Sequence, residues 1–366
     1  MNCPNLTTSQ PRVKPVMPRL EIALSQICKN ANKLTRLYGQ RGISLMGVSK
    51  AVLGEPLIVQ AMIKGGIKTI ADSRVENIQR MKGAGIIAEF VLLRTALSQA
   101  ESIVENVDIS LNTEIETLRE LSHYAKEMNK IHEIIIMVEM GDLREGVLPN
   151  DLSLFIKEAL TLSHLRLIGI GCNLACYGGI KPDNKNMRKL SNLSKSIEVE
   201  FQLHLKIVSG GNSANYEWYQ SGHNIDKINN LRLGESILLG CETVERQPIP
   251  GLFTHAFQLV AEVIESKFKD SQPTGQVCMD AFGGIPHFQD RGIRQRAILS
   301  LGKQDVIVSG LKTDQAITIL GASSDHLIVE SDKQNLQVGD EVKFDLSYSG
   351  LLSAMTSQFI QKQFEQ

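Results

Sequence analysis

The sequence predicts an α/β protein: a closed (β/α)8 barrel of the TIM type followed by a mostly β C-terminal domain. Strand-like and helix-like runs alternate as about eight units over roughly 200 residues, the size of a closed parallel barrel with an outer ring of helices. After about Gly240 the alternation stops, and short β-like runs separated by turn signals replace it. An open doubly wound sheet is the alternative. It is disfavoured because the first strand's loop, Lys-Ala-Val-Leu-Gly-Glu-Pro over 50–56, lacks the dinucleotide glycine fingerprint.

The expected organisation is an N-terminal arm over 1–18, a barrel over 19–245 and a β-rich domain over 246–366. The arm is polar and lacks the apolar centre of a signal peptide. A helix is predicted from Arg19 to Tyr38, its apolar face formed by Leu20, Ile22, Ala23, Leu24, Ile27 and Ala31. Strands follow near 43–49, 67–71, 89–93, 107–111, 133–140, 165–172, 204–209 and 230–234. Amphipathic stretches lie between them at 55–65, 74–82, 114–129, 151–162, 184–199 and 213–220; the connection after Leu93 is the weakest, short and polar. In the second domain the β-like runs are Gln258–Glu265, Arg296–Leu301, Ala316–Leu320, Leu327–Glu330 and Glu341–Leu346. Gly283-Gly284, Ser309-Gly310 and Val338-Gly339-Asp340 punctuate them.

At 366 residues, with 42% hydrophobic and 22% charged content, the chain has the make-up of a soluble two-domain protein. A formal charge of −1 gives no field to draw a polyanion or an anionic bilayer, so neither nucleic acid nor membrane is an expected partner. No apolar run approaches the roughly 18 residues a span requires. The six cysteines, Cys3, Cys28, Cys172, Cys176, Cys241 and Cys278, lack the spacing of a disulfide framework or a zinc site. Reduced thiols, a cytoplasmic location and no metal are expected.

Functional residues of such a barrel come from the carboxyl ends of its strands. Those ends read Lys50, Asp72-Ser73-Arg74, Asn112, 140–146, Cys172-Asn173, 209–213 and 232–235. Lys50 closes the apolar run 43–49. It is either a solvent-facing strand end or a desolvated amine, and a desolvated lysine has a lowered pKa and attacks carbonyl carbon. In Ser209-Gly210-Gly211-Asn212-Ser213 the glycines admit a close backbone approach, and Ser213 opens a helix. That turn is an anion site or a simple N-cap. An amine facing an anion cradle fits pyridoxal 5'-phosphate, whose aldehyde takes the lysine and whose phosphate takes the cradle. Arg232 either pairs with Glu235 or a nearby carboxylate, or lies against the pyridine nitrogen. There, a permanently protonated side chain keeps that nitrogen unprotonated and the ring a weaker electron sink.

The strings Val48-Ser49-Lys50, 71–77 (Ala-Asp-Ser-Arg-Val-Glu-Asn), 141–146 (Gly-Asp-Leu-Arg-Glu-Gly), 209–213, 230–235, 290–294 and 321–326 together resemble the alanine racemase-like, fold-type III pyridoxal-phosphate enzymes. Within them the chain is most similar to the ornithine racemase or predicted amino-acid racemase branch, from about Pro18 to Gln361. The resemblance implies a racemase of a free amino acid, of ornithine or alanine type, acting as a head-to-tail homodimer in which one subunit's β domain closes the other's barrel mouth. It implies that Lys50 holds the cofactor and serves one face of the α-carbon. Arg232 would lie at the pyridine nitrogen, Ser213 with Gly211, Asn212, Gly234 and Glu235 around the phosphate, and Asn173 near the ring. Arg144 would meet the substrate carboxylate.

Racemisation needs a second base on the opposite face. Where the family carries a Gly-Tyr motif, this chain reads Leu301-Gly302-Lys303-Gln304-Asp305, so Lys303 is the candidate, with Asp305 to orient it. Asp325, in Ser324-Asp325-His326, is the rival, with Ser324 on the substrate side. A diamine side chain would want a carboxylate, for which Asp280, Asp290 and Asp325 are candidates. Two alternatives stand beside the racemase. A D-amino-acid aldolase or dehydratase would need a metal held by His and Cys, and Asp325-His326 has no cysteine companion. A non-catalytic pyridoxal-phosphate homeostasis protein would lack the second domain.

Overall fold

The computed structural model describes residues 17–313, 316–331 and 335–365. Residues 1–16 of the expected arm, Cys3 among them, lie outside the described residues. Eight parallel strands close a barrel in sequence order. With β1 (Arg19–Ala23) preceding them, these are β2 (Ser44–Val48), β3 (Thr69–Asp72), β4 (Glu89–Leu92), β5 (Ile109–Asn112), β6 (His132–Met137), β7 (Leu165–Gly171), β8 (Ile207–Ser209) and β9 (Asn230–Leu233). After α1 (Leu24–Gly39), the outer helices are α2 (Pro56–Lys64), α3 (Val75–Gly83), α4 (Ala100–Asn106), α5 (Ile115–Glu127), α6 (Leu152–Ala159), α7 (Asn184–Phe201), α8 (Tyr216–Gln220) and α9 (Glu235–Leu239). The alternation of the sequence is thus the alternation of the fold.

Alternate residues of each strand face opposite sides. Met46, Val48, Val91, Leu111, Ile135 and Met137 fill the barrel interior, while Leu45, Ile70, Leu92 and Ile134 pack outward under the helices. At Gly169 the β7–β8 approach leaves no room for a side chain, since a Cβ would lie 2.3 Å from the Ile207 carbonyl oxygen. Among the outward-facing residues, buried His132 lies 2.8 Å (Nε2) from Ser110 Oγ, and burial pushes its pKa from 6.5 to about 4. The folded imidazole therefore binds its proton less well than the unfolded one, and stability falls as pH drops from about 6.5 towards 4. That loss is expected to reach about 3 kcal/mol. His132→Gln should remove it from a series of acid-unfolding curves, and an unchanged slope would contradict the assignment.

The second domain is an antiparallel sheet: β10 (Phe257–Asp270), β11 (Ile293–Leu299), β12 (Leu311–Lys312), β13 (Ile317–Ala322), β14 (Leu327–Ser331) and β15 (Glu341–Leu346) in the order β12-β15-β10-β11-β14-β13. The helix α10 (Tyr348–Thr356) and β16 (Gln361–Glu365) complete the chain. One expectation is corrected here. The segment 19–23 is not the first turn of a helix but the strand β1, antiparallel to β10 and parallel to β16. Leu20 and Ile22 alternate with Arg19 and Glu21, a period of two, and both apolar side chains are fully buried. Arg19 is held by Glu21 and by Glu341 at 2.8 Å, which ties this strand to the second domain's sheet.

Candidate active site

A cavity of about 570 Å³ opens at the carboxyl ends of the barrel strands. Lys50, Arg144, Asn173, Asn212, Ser213, Arg232, Gly234 and Glu235, all singled out in the sequence, line it. Gly211 lies just beneath: its carbonyl accepts the Arg232 N–H at 2.9 Å. Its φ of +136° is one that glycine adopts without strain.

Lys50 lies two residues past the end of β2, at the start of a 3-10 turn that ends through left-handed Leu53 and Gly54. Glu55 and Pro56 then open α2. The strand end is pinned by its neighbour: Ser49 Oγ donates to Asp72 Oδ2 at 2.6 Å. The other carboxylate oxygen of Asp72 accepts from the Arg74 N–H at 3.0 Å and from Asn77 Nδ2 at 2.9 Å. Asp72 is therefore scaffold for Lys50, while Ser73 lines the cavity.

The Lys50 amine makes no hydrogen bond or ion pair among the described residues, and burial pushes its pKa below the usual lysine value. The charges of Arg144 and Arg232 push the same way, while Cys176 and Glu145 oppose them. Such an amine is neutral, and so nucleophilic, at lower pH than a surface lysine. The folded state holds fewer protons than the unfolded one between that depressed pKa and 10.5, so stability rises with pH across this window. Lys50→Met should flatten that rise in unfolding curves taken at successive pH values. An identical rise in the variant would contradict the depressed pKa.

The turn after β8 is organised by Asn212, which rules out the alternative that Ser213 is a simple N-cap of its own helix. Asn212 accepts from the Ala214 N–H at 2.8 Å, and Asn215 answers by accepting the Asn212 N–H at 3.0 Å. Ser213 is released to face Ser236, with 3.1 Å between the hydroxyls, where it also accepts the Ser236 N–H at 3.2 Å.

Arg232 lies buried at the end of β9 and donates to Ser209 Oγ at 2.5 Å, to the Cys172 carbonyl at 2.7 Å and to Asn173 Oδ1 at 3.4 Å. The alternative pairing with Glu235 does not form, because Glu235 is taken by Arg246. Among the described residues Arg232 has no carboxylate partner, so its charge is left to act on whatever enters the cavity.

The loop after β6 carries Arg144. Glu139 accepts the Leu143 and Arg144 N–H groups, each at 3.2 Å. The guanidinium of Arg144 forks onto the adjacent Glu145 and donates to Cys176 Sγ at 3.3 Å. Buried Asp142 ties this loop to the one after β7, accepting the N–H groups of Tyr177 at 2.9 Å, Cys176 at 3.2 Å and Ile180 at 3.3 Å.

The three residues expected from the β domain gather elsewhere. Lys303 donates its N–H to the Ser323 carbonyl at 3.0 Å, and a Cβ on Gly302 would lie 2.2 Å from the Ser324 carbonyl oxygen, so the two motifs form one tight structure. The Lys303 ammonium lies 3.4 Å from the centre of the Phe282 ring. Asp325 pairs with His326 at 2.9 Å and accepts from the hydroxyls of Ser323 and Ser324 at 3.1 Å. Asp305 accepts the Gly302 N–H at 2.8 Å, shaping the turn rather than orienting Lys303. None of Lys303, Ser324 and Asp325 lines the barrel cavity of its own chain, nor do Asp280 and Asp290, whose carboxylates bind backbone N–H groups of their own turns.

Glu145, given no role although it stands in the strand-end string 140–146, also lines the cavity, as do Thr243, Arg246 and Tyr348, which the sequence did not single out. Tyr348 begins α10 beside the N-cap Ser347, and burial pushes its hydroxyl up to about 12. Ser347 followed by an apolar run was the signal available for it. Thr243 belongs to a loop shaped by buried Glu242, which accepts the N–H groups of Val244 at 2.6 Å and Gln247 at 2.7 Å. Nothing in local periodicity announces such a loop. The Thr243 hydroxyl and Asn173 Nδ2 are buried without hydrogen-bond partners. Unmet polar atoms, an unpaired amine and an arginine without a carboxylate suit a polar, anionic, carbonyl-bearing cofactor such as pyridoxal phosphate. Among the described residues no group of three His, Cys, Asp or Glu side chains is placed to hold a metal.

A closed parallel barrel with a half-buried lysine at its mouth and an appended β domain defines the class: a two-domain barrel protein with an unpaired amine in its cavity. Residues 22–241 match the family model described as the N-terminal domain of alanine racemase, and the chain belongs to that family. It is 40% identical over 351 residues to the ornithine racemase of Acetoanaerobium sticklandii, covering 94% of this chain and 99% of that one. It is 38% identical over 353 residues to the lysine racemase of Thermotoga maritima, covering 96% and 99%. An alanine racemase from Bartonella henselae, solved with covalently bound pyridoxal phosphate, superposes with a TM-score of 0.73 at 18% identity over 96% of this chain and 100% of that one. At that identity the likeness speaks for the fold alone. The resemblance read from the motifs is borne out, and with it the assignment as an amino-acid racemase, an isomerase.

Proposed function

We propose that this racemase holds pyridoxal phosphate in the barrel mouth and interconverts the L and D forms of a free diamino acid, ornithine or lysine. The observation that carries the reading is the Lys50 amine, unpaired and with a depressed pKa, at the mouth it shares with Arg232. The two extensive relatives, named for ornithine and lysine, support the substrate class. When bound, pyridoxal phosphate supplies a conjugated ring that withdraws electrons from the substrate's α-carbon.

The chain's own residues do the rest. Ser213 and the backbone of 234–235 hold the anionic handle in the turn that Asn212 shapes, with the hydroxyls of Thr243 and Tyr348, which line the same cavity, as further donors. Arg232 offers N–H donors and no acceptor, so it leaves a ring nitrogen facing it without a proton. Arg144 meets the α-carboxylate in its fork geometry. Lys50 Nζ takes and returns the α-proton on one face.

The opposite face needs a second group. Lys303 of the partner subunit is the first candidate, and Asp325 of the partner subunit the second. A head-to-tail homodimer is supported by exposed apolar side chains on and beyond β10: Phe268, Met279, Phe282, Ile285 and Phe288. Incubation with pyridoxal phosphate and single-enantiomer amino acids, read by chiral chromatography, tests the reading. Inversion of L-ornithine or L-lysine is the expected result. Retention of every enantiomer in the panel would overturn it.

A further inference from the structure

The Arg144–Glu145 ion pair has the form of a stand-in for charges that the substrate brings. Both side chains line the cavity with Lys50. The guanidinium meets the carboxylate through Nε and Nη2, the two-pronged arrangement it would use on a substrate carboxylate. Side-chain exposures of 39% and 33% leave the pair within reach of an entering molecule. Its backbone is not free to drift: Glu139 holds the Arg144 N–H, and a Cβ on Gly146 would lie 2.2 Å from the Glu139 nitrogen. Of the carboxylates lining the mouth, Glu235 is committed to Arg246, and Glu114 lies exposed at the start of α5. Glu145 is the one whose charge is felt at both Lys50 and Arg232.

We propose that Glu145 selects a diamino acid by exchanging partners: the incoming α-carboxylate takes Arg144, and the released Glu145 takes the distal ammonium of the side chain. One ion pair opens and two form, so no carboxylate is stranded. Norvaline, which is ornithine without its terminal amine, brings no such cation. Its carboxylate must compete with Glu145 for Arg144, and the loser is left unpaired in a partly dehydrated mouth. This inference rests on the racemase reading above and on Arg144 as the carboxylate site.

Glu145→Gln, made in the full-length holoenzyme, tests it. Expected is a loss of about tenfold in kcat/KM for ornithine, with norvaline unchanged or improved. Calorimetric titration with racemic ornithine and racemic norvaline measures binding separately, because a racemate leaves no net turnover. Ornithine affinity should fall by a similar factor and norvaline affinity should not. Glu145→Asp should keep part of the ornithine preference, and it carries the comparison if the glutamine variant does not fold. Equal losses for both ligands would reduce Glu145 to a support for Arg144, and wild-type protein binding norvaline as tightly as ornithine would also overturn the proposal. Failure of the racemase reading would look different: no amino acid inverts, while the binding comparison still decides what Glu145 reads.

Discussion

Replacing Lys50 with alanine is expected to lower racemisation by at least about 10²–10⁴-fold, the range for removing a positioned acid–base group, and to abolish covalent retention of the cofactor. The fold should survive. The amine has no hydrogen bond or ion pair among the described residues, and its charged form is disfavoured by burial, so its removal leaves no partner stranded. Ser49, which does hold the strand end through Asp72, is untouched. Circular dichroism and the unfolding midpoint should therefore match wild type while chiral chromatography shows no inversion. A variant that turns over ornithine or lysine at a rate near wild type would remove Lys50 from the chemistry.

Asp142→Ala should produce the largest loss of stability among the site substitutions, about 3 kcal/mol. Asp142 is 1% exposed, and its carboxylate serves the N–H groups of Cys176, Tyr177 and Ile180. Alanine leaves those donors without their acceptor and loosens the segment that brings Ala175 and Cys176 to the cavity. Ala175 has a φ of +53°, an unfavourable left-handed conformation for a residue with a Cβ, and the loop must be held in place to keep it there. Asp142→Asn retains one acceptor and should lose about half as much. Urea titration with an alanine variant within about 0.5 kcal/mol of wild type would show that this carboxylate does not organise the mouth.

The barrel was legible because its signal is repeated: each strand is a short apolar run, each helix has a 3.6-residue period, and eight such units reinforce one another. The first strand was not. Residues 19–23 run straight into α1, and five residues of alternating polarity do not stand apart from the helical period that follows. What makes them a strand is pairing with β10 and β16, more than 200 residues away. The strand-end rule found Lys50, Asn173, Asn212, Ser213 and Arg232 because closure of the barrel brings all strand ends to one mouth. It could not find Thr243, Arg246 or Tyr348, which reach that mouth from a carboxylate-centred loop and from a helix of the second domain. Glu145 was passed over because sequence shows its adjacency to Arg144, while the fork between the two side chains belongs to the folded loop.

Whether Lys50 holds the cofactor is tested most directly by borohydride reduction of the purified protein after addition of pyridoxal phosphate, followed by peptide mapping. Expected is a single pyridoxyl group on the peptide containing Lys50, absent from Lys50→Ala. An unmodified Lys50 peptide, or a label confined to other lysines, would contradict it.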